Sequence, residues 1–179
     1  MSNFEEIKNV VFLEPECSFS EIAKDEFCQK YKLICNSTPL TTIKQIVEYV
    51  SQNSKDTLGI LPVENTLDGT IRESLDCLIT CKNPNIRIIA EMILPIEYCL
   101  LSKTTEFYSI SGLITTPRLI TKCHEFIQNE LPRNLNLIEA PTMIEAAKDL
   151  SNHNLTYSSI GNKKIAENYR LNILKENIH

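Results

Sequence analysis

Short apolar segments alternate with amphipathic segments in the first third of the chain. Residues 9–13, 32–35 and 57–61 predict three strands. A capping box at Ser18-Phe19-Ser20-Glu21 predicts a helix to about Tyr31, and a second helix is predicted from Thr41 or Thr42 to Val50. Strands and helices in the order βαβαβ predict a parallel sheet with helices on its faces.

The third predicted strand ends in a run of polar residues. Pro62 cannot donate to a sheet ladder, and Glu64-Asn65-Thr66 then presents a carboxylate, an amide and a hydroxyl in succession. Thr70-x-x-Glu73 is a capping box and predicts a helix over residues 70–80. Ligands of open α/β sheets bind at such strand-to-helix corners, so this segment is a candidate site; a plain turn is the alternative.

The second half of the chain repeats the same theme. Extended chain at 86–94 leads to predicted strands at 96–101, 112–114 and 135–139 and predicted helices at 116–128, 142–150 and 162–169. This pattern predicts an α/β fold of two similar lobes, each a mixed and mainly parallel sheet flanked by helices, with a cleft between the lobes. We expect lobe 1 at 1–92, lobe 2 at 93–171, and a return of 172–179 to lobe 1.

Several predicted helices begin directly after a strand, which leaves backbone N–H groups that bind carboxylates. The predicted caps are Ser18, Thr70, Thr116 and Thr142. Cations in the first or second turn of these helices are candidates for pairing with substrate carboxylates, namely Arg72, Arg118 and Lys122. Ordinary helix capping and solvated surface charge are the alternative interpretation.

Composition narrows the classes of function. The chain has 179 residues, a net charge of −5 and a pI near 5.3, which argues against nucleic acid as a partner. It has no apolar run of about 18 residues and no basic leader, so we expect a cytoplasmic protein without a membrane span. The seven cysteines lack zinc spacing and fit free thiols, so neither a metal nor another cofactor is expected.

The segment Pro62-Val63-Glu64-Asn65-Thr66-x-x-Gly69-x-Ile71 resembles the signature of the prephenate dehydratase family. The resemblance continues in order along nearly the whole chain, through residues 13–20, 94–101, 115–118 with Cys123, 144–147 and 162–178. It implies a bilobal fold of the type 2 periplasmic-binding-protein kind. It also implies a cytoplasmic lyase of phenylalanine biosynthesis that converts prephenate, a dianion, to phenylpyruvate with loss of water and CO2, as a homodimer or higher homo-oligomer.

The resemblance also implies roles for individual residues. Glu64 and Asn65 would orient the substrate, with Thr66 hydrogen-bonding beside them. The expected catalytic residues are Glu64, Asn65, Thr66 and Thr115. The expected substrate-binding residues are Ser18, Ser20, Gly69, Thr70, Thr116, Arg118 and Lys122.

This sequence departs from the family pattern at several positions. Glu14 and Cys17 replace glycines of the first loop, Thr115-Thr116 replaces Ser-His, and Lys122 replaces glutamine. In the family a Thr-Arg-Phe motif follows the segment matched by 174–178, whereas this sequence ends at His179. Three expectations stay open: a truncated active lyase, a weak or inactive binding or regulatory relative, or an enzyme for a different reaction on a related cyclohexadiene acid, such as arogenate dehydration. The resemblance does not extend to the ACT regulatory domain that usually accompanies the family, so feedback by phenylalanine through such a domain is not expected for this chain.

Overall fold

A parallel three-stranded sheet with the order β2-β1-β3 organises the first part of the chain. The computed structural model describes Phe4, residues 6–66 and residues 69–179. The first elements are β1 Asn9–Leu13, α1 Phe19–Tyr31, β2 Asn36–Leu40, α2 Ile43–Gln52 and β3 Thr57–Ile60. The central strand β1 is buried through Val10, Val11 and Phe12, and the predicted βαβαβ order is confirmed.

The second strand was predicted at 32–35, and this prediction is wrong. Lys32 ends α1 in the left-handed conformation, with φ of 54°. The Leu33 N–H then donates to the Cys28 carbonyl at 2.8 Å, so these residues complete the end of the helix. The ladder with β1 begins only at Asn36, and Pro39 is tolerated because β2 lies at an edge of this sheet.

A two-stranded hairpin and a helix follow β3. The hairpin pairs β4 Glu64–Asn65 with β5 Gly69–Thr70, and α3 spans Arg72–Thr80 and packs against α2. Residues 81–94 contain no helix or strand, and the first of two units ends at Leu94.

The second unit, Pro95–His179, has a mixed five-stranded sheet with the order β10-β6-β9-β7-β8. Its elements are β6 Cys99–Ser102, β7 Gly112–Thr115, α4 Pro117–Lys122, α5 His124–Glu130, β8 Asn136–Glu139, α6 Met143–Asp149, β9 Tyr157–Gly161, α7 Lys163–Tyr169 and β10 Asn172–Lys175, with 3-10 turns at Phe107–Ser109 and Leu150–Asn152. Strands β8, β7 and β9 are parallel, whereas β6 and β10 are antiparallel to their neighbours. The predicted α/β class with mixed, mainly parallel sheets is confirmed; the cleft between lobes stays a prediction.

Two expectations for the second half are corrected. The helix predicted to run from Thr116 to Gln128 is interrupted at Cys123, whose φ of −103° and ψ of 21° separate α4 from α5.

The last residues, 172–179, were expected to return to the first lobe. Instead β10 pairs with β6, and the Ile178 N–H donates to the Tyr98 carbonyl at 3.1 Å, because the outer edge of β6 offers backbone partners.

Candidate functional site

The polar triplet Glu64-Asn65-Thr66 lies on the hairpin after β3. Glu64 pairs with Thr70 and Asn65 pairs with Gly69, whose φ of 73° favours glycine. Glu64, Thr66, Gly69 and Thr70 are exposed and Asn65 is half-buried. The hairpin therefore presents a carboxylate, an amide and two hydroxyls on a short, mostly exposed loop.

Thr70 was expected to cap the following helix, and this expectation is wrong. Thr70 belongs to β5, and the N-cap of α3 is Ile71, which makes no side-chain cap bond. Because Thr70 pairs with Glu64 in the hairpin, it lies in β5 and not at the start of α3. The Asp68-Gly69 dipeptide was the sequence signal for a hairpin, since such pairs favour tight turns between antiparallel strands.

The start of α3 is tied to the chain just before the triplet. The Ser74 hydroxyl donates to the Pro62 carbonyl at 2.6 Å, and the Ile71 N–H donates to the Val63 carbonyl at 2.8 Å. Ser74 is completely buried. Sequence reasoning missed Ser74, although its spacing from Leu78 places it on the inner side of the helix.

The loop after β1 carries the other candidate residues of the first unit. The Ser18 hydroxyl accepts from the Glu21 N–H and donates to the Leu13 carbonyl, both at 3.2 Å, so the predicted cap is confirmed. The Glu21 carboxylate accepts from the Cys17 N–H at 2.5 Å. Cys17 has φ of 58°, a conformation that favours glycine, the residue that the resemblance implies at this position.

Both candidate segments of the first unit leave the same edge of its sheet. Strands β1 and β3 are parallel neighbours, with Phe12 paired to Ile60, so their carboxyl ends lie side by side. Ser18 and Ser20 follow β1 and are half-buried, whereas the hairpin follows β3. This edge is where ligands of open α/β sheets bind.

The candidate residues of the second unit lie at the end of its central parallel strand. Thr115 ends β7 and is completely buried, and its hydroxyl has no hydrogen-bond partner within residues 4, 6–66 and 69–179. Thr116 caps α4 by accepting from the Leu119 N–H at 3.3 Å, as predicted. Arg118 is exposed and Lys122 is half-buried on the same helix.

The thiol of Cys123 does not serve as a nucleophile at neutral pH. Cys123 is 1% exposed, and burial raises its pKa to about 11, which the nearby Lys122 opposes only in part. The thiol therefore stays protonated and packs as a small apolar group. In the part of the chain that the structure describes, no three His, Cys, Asp or Glu side chains form a group that could hold a metal ion.

None of the described helices is long and apolar enough to span a membrane. This finding agrees with the sequence, in which charged residues interrupt every apolar segment before it reaches spanning length.

Comparison with known proteins assigns nearly the whole chain to one family. The family model described as prephenate dehydratase matches residues 10–179. A curated prephenate dehydratase of Methanocaldococcus jannaschii is 29% identical over 179 residues, which cover 96% of this chain and 60% of that protein. The chain spans between 42% and 60% of the lengths of the first curated relatives that it matches.

Solved structures share the fold at low identity. The prephenate dehydratase from Staphylococcus aureus has a TM-score of 0.75 and 18% identity, covering 97% of this chain and 61% of that one. A structure described as GqqA, a novel type of quorum quenching acylase, has a TM-score of 0.70 and 19% identity, with coverage of 96% and 60%. Because this fold is found in proteins named for different reactions, it does not by itself decide the chemistry. The match of the family model over residues 10–179 does decide the family, and the chain belongs to the prephenate dehydratase family.

Proposed function

We propose that the protein is a prephenate dehydratase, a lyase that forms phenylpyruvate in phenylalanine biosynthesis. One observation carries the proposal: within a chain matched by the family model, the hairpin presents Glu64, Asn65 and Thr66 at the carboxyl edge of the first sheet. The loop that carries Ser18 leaves the neighbouring strand at that edge. Carboxylate, amide and hydroxyl groups are the kinds needed to orient an acid that also carries a ring hydroxyl.

The reaction needs one proton and a suitably oriented dianion. The bond between the ring and its carboxylate breaks, and its electron pair stays in the ring as CO2 leaves. The ring C–O bond breaks, and the departing oxygen takes the electron pair of this C–O bond and a proton to become water. Prephenate dianion and one proton thus give phenylpyruvate monoanion, CO2 and water, with aromatisation as the driving force.

Each candidate residue has a proposed part in this step. The Asn65 amide donates to a substrate carboxylate, and Glu64 accepts from the ring hydroxyl, so that both orient the substrate. Thr66 and Thr115 are the candidate hydroxyl donors to the departing oxygen. The remaining proposed substrate-binding residues are Ser18, Ser20, Gly69, Thr70, Thr116, Arg118 and Lys122. Arg118 and Lys122 would pair with carboxylates of the dianion.

A direct test follows phenylpyruvate formation from prephenate by its absorbance in alkali. Denatured protein controls for spontaneous acid-catalysed breakdown of the substrate. Turnover above this control is the expected result. Absence of turnover, combined with a melting temperature that still rises with prephenate, would contradict the lyase and favour a binding or regulatory relative.

The Asn65→Ala variant tests whether the hairpin acts on the substrate. We expect turnover to fall at least tenfold while the melting temperature changes by less than about 2 °C, because the residue is half-buried on a two-residue strand. Asn172→Ala is the matched control, since Asn172 also lies in a short strand and donates to the Lys103 carbonyl at 3.0 Å. Equal losses of stability and turnover in Asn65→Ala would contradict a substrate role.

The cellular setting and the assembly are part of the same proposal. We propose a cytoplasmic homodimer or higher homo-oligomer, supported by the family to which the chain belongs. Light scattering coupled to size-exclusion chromatography of the purified chain tests the assembly. A mass near the monomer value of 20.4 kDa at micromolar concentration would contradict it.

A further inference from the structure

Two cysteine side chains in the first unit, away from the candidate site, lie side by side. Cys28 belongs to α1, and Cys35 lies in the turn that leads to β2. Their Sγ atoms are 3.8 Å apart, both side chains are half-buried, and both are free thiols. The two thiols are within hydrogen-bonding distance, and either sulfur can be the donor.

The backbone holds both cysteines in place. The Cys28 carbonyl accepts from the Leu33 N–H at 2.8 Å, which fixes the turn after the helix. On the other side the Asn36 N–H donates to the Lys8 carbonyl at 2.8 Å, where β2 joins the sheet. The sulfur atoms therefore stay close without help from a mobile segment, and only about 1.8 Å separates their distance from a disulfide bond length.

The segment that carries Cys35 borders solvent, so a small reagent can reach the pair. The Cys28 thiol is mostly protonated at neutral pH. Ile34, the residue before Cys35, is 99% exposed, so this segment borders solvent. Burial, and then the hydrogen bond with Cys35, raises the pKa of Cys28 to about 11. Little Cys28 thiolate exists at neutral pH, so this thiol reacts slowly there. Converting two thiols to a disulfide removes two electrons and therefore requires a stoichiometric oxidant.

We propose that Cys28 and Cys35 form a redox modification site, which a small-molecule disulfide such as glutathione disulfide converts to an intramolecular disulfide. One protein thiol loses its proton and attacks the reagent, forming a mixed disulfide and releasing one glutathione thiolate, which is protonated. The second protein thiol loses its proton and attacks the protein sulfur of that mixed disulfide, releasing the second glutathione. Two protein thiols are oxidised by two electrons, and one glutathione disulfide is reduced to two thiols.

The bond would connect the end of α1 to the start of β2. Helix α1 begins at the Ser18 cap, so the modification acts on the same helix that carries candidate residues at its other end. The closed segment, residues 28–35, already has a fixed turn at Lys32. We therefore expect the oxidised protein to keep its far-ultraviolet circular dichroism spectrum.

Peptide mapping by mass spectrometry tests the proposal. The full chain is incubated with glutathione disulfide at pH 8.5 and quenched with acid, and the remaining thiols are labelled with iodoacetamide after denaturation. The expected product is a peptide pair linked through Cys28 and Cys35, with the other five of the seven cysteines recovered as thiols or glutathione adducts. Recovery of Cys28 and Cys35 as separate labelled thiols, or as two separate glutathione adducts, would overturn the proposal.

Two variants make the assignment specific. Cys35→Ser should remove the linked peptide and leave Cys28 as a thiol or a glutathione adduct. Cys77→Ser is the matched control, a half-buried cysteine of the same unit, and should keep the linked peptide in full yield. Loss of the linked peptide in Cys77→Ser would overturn the proposal, since the bond would then depend on a different cysteine.

Discussion

The two units build the same three-stranded core and then extend it differently. In the first unit β1 lies between β2 and β3, and in the second unit β7 lies between β8 and β9, with all pairs parallel. Among the described residues, the first unit adds a hairpin of two two-residue strands after β3, whereas the second adds two antiparallel strands, β6 and β10, beside β9. The first sheet therefore has three strands. In the five-stranded second sheet, β6 pairs with the side of β9 that faces away from β7.

This difference changes how each unit holds its candidate residues. Glu64 and Thr66 are exposed on the hairpin, and backbone and Ser74 hydrogen bonds attach that hairpin to α3. Thr115 is completely buried at the end of β7, the central strand of the parallel group. We conclude that the first unit presents polar groups on a locally supported loop, and that the second holds a buried hydroxyl at the end of a sheet strand.

The largest expected effect concerns the core of the second unit. Ile114 is completely buried in β7, in a cluster with Ala140, Ala146 and Leu150. Ile114→Ala should lower the free energy of unfolding by about 2–5 kcal/mol, because it leaves a cavity among packed side chains. Urea denaturation, followed by resolved NMR signals of each unit, measures this change.

Ile93→Ala in the first unit is the control, since Ile93 is 90% exposed. It should change the free energy of unfolding by less than about 0.5 kcal/mol. Similar losses in the two variants would contradict the assigned difference in burial.

The next effect concerns the support of the hairpin. Ser74→Ala removes the buried hydroxyl that donates to the Pro62 carbonyl at 2.6 Å, so we expect the free energy of unfolding to fall by about 1 kcal/mol. Amide exchange at residues 64–66 and 69–70 should accelerate as well. Ser151→Ala is the matched control: the exposed Ser151 donates to the Lys148 carbonyl, and water can replace that bond. No change in hairpin exchange would show that α3 does not support the hairpin.

A third effect has the opposite sign. The Thr115 hydroxyl is buried without a partner among the described residues, so Thr115→Val should stabilise the protein by about 1 kcal/mol while weakening any effect of prephenate. In the first unit Thr57 is equally buried, but its hydroxyl donates to the Asp56 carboxylate at 3.3 Å. Thr57→Val should therefore destabilise by about 1 kcal/mol. Denaturant midpoints decide the signs, and a loss in both variants would contradict the unpaired state of the Thr115 hydroxyl.

The smallest effect should be equal in the two units. Lys32 and Arg170 end α1 and α7 in the same left-handed conformation, with φ of 54° and 52°, and both are exposed. Lys32→Gly and Arg170→Gly should each stabilise by about 0.5–1 kcal/mol, because glycine adopts this conformation without strain. Lys30→Gly, inside α1, should instead destabilise by about 1 kcal/mol. A clear difference between the two end variants would show that the helix ends are not equivalent.

The sequence was sufficient where local signals agreed with the fold. Polar caps at Ser18, Thr116 and Thr142 marked helix starts correctly, because a side-chain oxygen that satisfies a free N–H is a purely local device. Apolar segments identified β1, β3 and β7; β1 and β7 are mostly buried, and β3 is mainly half-buried. The alternation of these elements predicted the parallel sheet of the first unit and the parallel strands β8, β7 and β9 within the mixed sheet of the second.

The sequence was insufficient where pairing between distant segments decides the structure. Residues 32–35 are as apolar as a strand, but the end of α1 occupies them. Thr70 resembles a cap, but pairing with Glu64 places it in β5. The partner of β10 could not be predicted, since β6 lies about 70 residues earlier and ladder pairing leaves no local signal.

Titration of the isotope-labelled chain with prephenate, followed by amide NMR shifts, tests the central claim most directly. The account predicts saturable shifts at the described hairpin residues 64–66 and 69–70, and at 115–116 and 118–122, with Asn65→Ala abolishing those of the hairpin. Saturable shifts confined to other segments, or no shifts at millimolar prephenate in a folded protein, would contradict the assignment of this hairpin to the substrate.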